Sequence, residues 1–152
     1  MILISHRGNI NGPNPKKENK VSYILEALSK KYSVEIDVWW ENGWWLGHDK
    51  PQYKVDENFI FLTPCLWVHC KNEAAMVHFC RNKINGLLCP TYFWHQTDNY
   101  ALTSNGLLWT YPQRPLTELS ICVLPELSNY KKKELKKAIG ICSDYICKYK
   151  KV

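Results

Sequence analysis

The stretch VEIDVWWENGWWLGHD, from Val34 to Asp49, holds an E-x-D pair, four tryptophans around an Asn-Gly dipeptide, and a closing His-Asp pair. Its first five residues alternate as a strand does, so Glu35 and Asp37 project to one face while Ile36 and Val38 project to the other. Two carboxylates on one face repel, and burying them is costly unless a cation or several donors compensate. A hard divalent metal with oxygen ligands meets that need. Asn42-Gly43 is the strongest short signal for a two-residue type I′ hairpin. Such a turn sets Glu41 opposite Trp44 and, counting back along the strands, Asp37 opposite His48. Cross-strand pairs among Trp39, Trp40, Trp44 and Trp45 then hold the ribbon that positions the histidine.

Outward from this stretch lie short apolar runs of strand length at residues 1–5, 34–40, 66–70, 86–94, 107–111, 120–124 and 145–147. Helical patterns separate them. Residues 18–32 place Val21, Ile24, Leu25, Leu28 and Tyr32 on one stripe, residues 72–82 follow the N-cap signal Asn72, and residues 129–139 end at Gly140. Strands alternating with helices predict an α/β fold with a largely parallel sheet, in which chemistry collects at the carboxyl ends of the strands. The polar residues fall there. His6-Arg7 follows the first strand, His69 and Lys71 share a face at the end of the third, His95 ends the fourth and Glu126 ends the sixth.

At 152 residues the chain is expected to form one domain spanning 1–152, with 45% hydrophobic and 22% charged residues arguing against disorder. With no basic, apolar leader and no long apolar run, the expected location is cytoplasmic. Seven cysteines without CxxC spacing predict free thiols rather than a zinc site or a disulfide framework. The net charge of +6, with eight lysines between Lys131 and Lys151, favours an anionic partner. No nucleic-acid recognition motif accompanies it, so no nucleic acid is expected, whereas peripheral contact with a membrane is compatible with it.

The motifs ISHRG (residues 4–8), EN (18–19), VEIDV (34–38) and GHD (47–49), with LWVHCKN (66–72) and GICSDY (140–145), resemble the glycerophosphodiester phosphodiesterase family, within the phospholipase-C-like phosphodiesterases. The resemblance implies a compact or trimmed TIM-type (β/α) barrel of about seven to eight strands with shortened helices, since such barrels typically run to about 250 residues. It implies His6 and His48 as general base and general acid, Arg7 and Lys71 as phosphate-binding groups, and Glu35 and Asp37 as ligands of one divalent metal ion, Mg, Mn or Ca. The third-strand motif of the family usually carries a carboxylate where this chain has His69. The metal set here is then Glu35, Asp37 and His69, and imidazole suits Mn or Zn better than Ca.

The implied activity is metal-dependent cleavage of a glycerophosphodiester, lysophospholipid or related headgroup ester through attack by the substrate's own neighbouring hydroxyl and a cyclic phosphate. A second reading is a weakly catalytic relative that binds a phosphorylated ligand or an anionic membrane surface. Glu18, His95, Trp109 and Glu126 are expected to line the mouth, with Glu18 also able to orient Arg7, and Asp144 faces the mouth without an assigned role.

Overall fold

A computed structural model describes residues 1–151. Ten strands form one sheet: β1 Ile2–His6, β2 Ser33–Trp40, β3 Trp44–Leu46, β4 Tyr53–Lys54, β5 Leu66–Cys70, β6 Thr91–Trp94, β7 Tyr100–Leu102, β8 Leu108–Thr110, β9 Ser120–Val123 and β10 Gly140–Ser143. Seven of them run parallel in the order β6-β5-β2-β1-β10-β9-β8. The eight-residue β2 is the pivot. It pairs with β5 along one edge, and along the other with β1 at its start and antiparallel β3 at its end.

The expected (β/α) barrel is not formed. The sheet curls into a half-barrel, and among the described residues no ladder joins β6 to β8. Among the described residues only four α-helices accompany the ten strands: α1 Val21–Ser29, α2 Glu57–Leu62, α3 Glu73–Ile84 and α4 Lys132–Leu135. The physical reason lies in residues 95–119, which contain Pro112 and Pro115 and no helical period. There the chain makes an antiparallel hairpin of β7 and β8 around Asn105-Gly106, with Gly106 at φ +85. Paired bonds between Tyr92 and Ser104 bridge the gap locally, from Ser104 N–H to Tyr92 O at 2.8 Å and from Tyr92 N–H to Ser104 Oγ at 3.0 Å.

Three further expectations are corrected by local chemistry. α1 starts only at Val21 because Asn19 sits at φ +60, outside the helical region. α4 is four residues long where eleven were expected, as like charges at Lys132/Lys136 and Lys133/Lys137 oppose a longer helix. Residues 145–147 form no strand, since β10 pairs last at Ser143 and the chain then turns through a 3-10 segment, Ile146–Tyr149. All seven cysteines are free, and no helix among the described residues is long and apolar enough to cross a membrane.

Alternation along the strands gives the sheet two faces. Val34, Ile36 and Val38 join Ile24, Val68 and Phe79 in the core beneath the helices. Ile4, Trp67, Phe93, Trp109, Ile121 and Cys142 fill the inner, concave side. Above this apolar floor, toward the carboxyl ends, the inward positions become His6, Asp37, His69 and Asp144.

Candidate active site and metal centre

A cavity of about 360 Å³ opens at the carboxyl ends of the strands, lined among others by His6, Arg7, Glu35, His48, His69 and Lys71. His95, Trp109 and Tyr111 complete one wall, with His95 stacked on Tyr111 at 3.7 Å between centroids. Trp109 packs on Phe93 at 4.5 Å, which ties this wall to the apolar floor.

Asp37 is the electrostatic hub and is wholly buried. Its Oδ2 faces Arg7 Nε at 2.9 Å and accepts from Asn19 Nδ2 at 2.9 Å, and its Oδ1 faces His69 Nδ1 at 3.1 Å and Lys71 Nζ at 3.5 Å. Burial alone would raise its pKa, but the bond to His69 and the charges of Arg7, His69 and Lys71 hold it well below the usual carboxylate range. The left-handed turn at Asn19 has its purpose here. Asn19 Oδ1 also accepts the Asp37 amide at 3.0 Å, so one side chain clips both ends of the aspartate.

Glu35 is equally buried but less compensated. Its Oε2 accepts the Arg7 amide at 3.3 Å and lies 3.9 Å from His6 Nε2, while Oε1 has only His69 Nδ1 at 3.9 Å. Burial and the negative charge of Asp37 push its pKa up. Glu35, Asp37 and His69 each offer one ligand atom, and these atoms lie within 4.8 Å of one another. His69 Nε2 lies 3.4 Å from the His95 carbonyl, which can only accept. That leaves Nδ1 as the atom facing the two carboxylates. An under-compensated carboxyl beside a second carboxylate and an inward imidazole nitrogen fits a metal ion, and the group could hold one.

His6 is set by a buried chain of polar contacts. Its Nδ1 lies 2.8 Å from Asp144 Oδ1, which directs Nε2 into the cavity. Burial lowers its basicity, but the Asp144 bond and the charge of Glu35 outweigh burial and raise its pKa. Asn9 Nδ2 donates to Asp144 Oδ1 at 2.8 Å and to Glu18 Oε1 at 2.9 Å, and Glu18 Oε2 holds Arg7 NH1 at 3.3 Å. Glu126 accepts the Ser143 hydroxyl and the Asp144 amide at 2.9 Å. Glu18 and Glu126 thus position Arg7 and Asp144 and do not line the cavity, whereas His95 and Trp109 do.

His48 arrives on the cavity by a register other than the expected one. The hairpin pairs Trp40 with Trp44 and Val38 with Leu46, so its loop is the three residues Glu41, Asn42 and Gly43, and Asp37 lies across from Gly47. A one-residue slip would flip every side chain. Here the strand ends first, and His48 stands in the loop beyond it. Gly47 N–H donates to Asp37 O at 3.2 Å, and Trp39 Nε1 donates to Gly47 O at 2.6 Å. Of the four tryptophans, Trp39 alone makes a hydrogen bond to the residue before the histidine, while Trp40 and Trp44 pack with His78 and Trp45 bonds to Glu41 O. His48 Nδ1 meets Asp49 Oδ1 at 2.6 Å, and partial burial lowers the pKa of His48.

Asn9 carries no sequence signal beyond following HRG, and the sequence marks Asp144 only as an inward residue of the last motif. No protein-family model, curated protein or solved structure matches this chain.

Proposed function

We propose that the chain is a metal-dependent phosphodiester hydrolase acting on a glycerophosphodiester or a related headgroup ester. One observation carries the reading: His6 and His48, Arg7 and Lys71, and two of the three residues of the Glu35-Asp37-His69 group line a single cavity, with Asp37 buried directly behind it. Its volume lies at the low end for ligand pockets, which suits a headgroup ester.

Arg7 and Lys71, both anchored on Asp37, are pre-placed cations for the phosphoryl oxygens. A divalent ion on Glu35, Asp37 and His69 supplies, when bound, further neutralisation of the charge developing on those oxygens. One histidine accepts the proton of the substrate hydroxyl neighbouring the phosphorus, and the other delivers a proton to the departing alcohol. The new phosphorus–oxygen bond forms as the bond to the alcohol breaks, leaving a cyclic phosphate that water opens. Asp144 keeps the Nδ1 of His6 engaged so that Nε2 does the proton transfer.

The test is phosphorus NMR of the protein incubated with glycerophosphodiesters and lysophospholipids in the presence of Mg, Mn or Ca. A metal-dependent monoester or cyclic phosphate resonance is the expected result. An unchanged spectrum with every ion contradicts the proposal.

A further inference from the structure

The formal charge is distributed unevenly. Residues 131–151 contain eight lysines against Glu134 and Asp144, in a chain with 20 basic and 14 acidic residues. Twelve of each sign remain elsewhere, so the whole net charge of +6 belongs to this segment. Its two acids offset only a quarter of the eight positive charges. Asp144 is turned inward on His6, and Glu134 accepts the Lys131 amide at 2.8 Å. All eight lysines are exposed, and among the described residues none forms an ion pair.

The lysines are also gathered. Lys132 Nζ donates to Lys151 O at 3.1 Å, which joins α4 to the last residues of the described chain. Lys148 and Lys150 lie 4.1 and 5.0 Å over the rings of Tyr145 and Tyr32, which holds both ammonium groups against the body of the protein. Leu127 and Ile139, which bracket α4 in the chain, are 60% and 39% exposed.

We propose that α4 and the segment after β10 form a docking face for an anionic lipid surface. This inference does not rest on the phosphodiesterase reading. Charge complementarity calls for a polyanion, and the composition selects a bilayer over a nucleic acid. Within residues 131–151 every cation is a lysine, a point charge suited to a diffuse headgroup layer, and a single arginine, Arg114, borders α4 beside Glu134 and Lys137, too few for an array of forks that grip phosphates in pairs. The rings of Tyr145 and Tyr32 lie beneath lysines and are not offered to bases. Exposed aliphatic side chains beside lysines suit the boundary between headgroups and acyl chains.

The experiment is co-sedimentation of the protein with phosphatidylcholine vesicles, with and without phosphatidylserine, at low and high salt. Binding is expected only to the anionic vesicles and is expected to fall with salt. Lys132→Glu/Lys136→Glu should weaken it roughly 25-fold or more, at about fivefold per lysine removed. Lys16→Glu/Lys54→Glu, with the same change in charge elsewhere, should bind far better than that variant. Equal binding to neutral vesicles, equal weakening by the two variants, or binding to duplex DNA without binding to vesicles overturns the proposal. Should the patch variant fail to fold, judged by circular dichroism, the native protein decides: retention on anionic vesicles at high salt overturns it, and release upholds it.

Discussion

Asp144→Asn isolates a charge without disturbing shape. Asp144 uses a single oxygen, Oδ1, to engage both His6 Nδ1 and Asn9 Nδ2, and among the described residues no hydrogen bond is made to Oδ2. An asparagine can keep its carbonyl at the Oδ1 position and place its amide where Oδ2 was, so both contacts survive and only the anion is lost. The side chains are 11% and 16% exposed. A charge-assisted bond of this kind contributes about 1.5–3 kcal/mol, against about 1 kcal/mol for a neutral one, so the substitution should cost roughly 0.5–2 kcal/mol.

The cost depends on pH in a defined way. His6 is raised above its ordinary 6.5, so its contribution is full below that value and is lost as pH rises through the folded-state pKa. Asp144 is lowered below its ordinary 3.8, so its contribution is full above that value and is lost as pH falls through the folded-state pKa. Glu35 on β2 adds to the charge on His6 and Arg7 opposes it, and neither is altered by the substitution. Urea unfolding of both proteins across pH should therefore show the largest difference between these two ordinary values, narrowing at either side. A difference that is flat with pH would refute the ion pair as the source of the stability.

Glu35→Gln should abolish the rise in melting temperature that Mn gives the native protein, read by thermal denaturation with and without the ion; a rise equal to the native one would exclude Glu35 as a ligand. His48→Ala, at a side chain 44% exposed, should leave stability within about 0.5 kcal/mol while lowering diester turnover about 10²–10⁴-fold. Unfolding and initial-rate measurements check both halves, and turnover near the native rate would remove His48 from the mechanism. Gly47→Ala drives a Cβ into the Lys50 carbonyl oxygen at φ +149, so it should reproduce much of the His48→Ala loss of turnover and also cost about 1–3 kcal/mol of stability.

The inward pairing of Glu35 with Asp37 and of His69 with Lys71 was legible because strand alternation is a local rule, and the burial of Ile36 and Val38 follows from the same rule. The hairpin was legible but its register was not. Asn42-Gly43 signals a tight turn, yet a third residue, Glu41, enters the loop, its N–H donating a hydrogen bond to Gly43 O at 3.0 Å. Barrel closure is not legible in the sequence because each strand signal is local, whereas closure depends on how β6 and β8 meet across a stretch that lacks a helix. The polar chain from His6 through Asp144 and Asn9 to Glu18 links residues up to 138 apart in sequence, and no periodicity reports such a chain.

The measurement that bears most directly on the central claim is the rate of glycerophosphodiester cleavage by His6→Ala in the presence of the ion that best supports the native protein. A loss of about 10²-fold or more is expected, because His6 is the histidine whose Nδ1 is held by Asp144 with Nε2 left to transfer the proton. Cleavage at the native rate would contradict it and would move the chemistry away from this site.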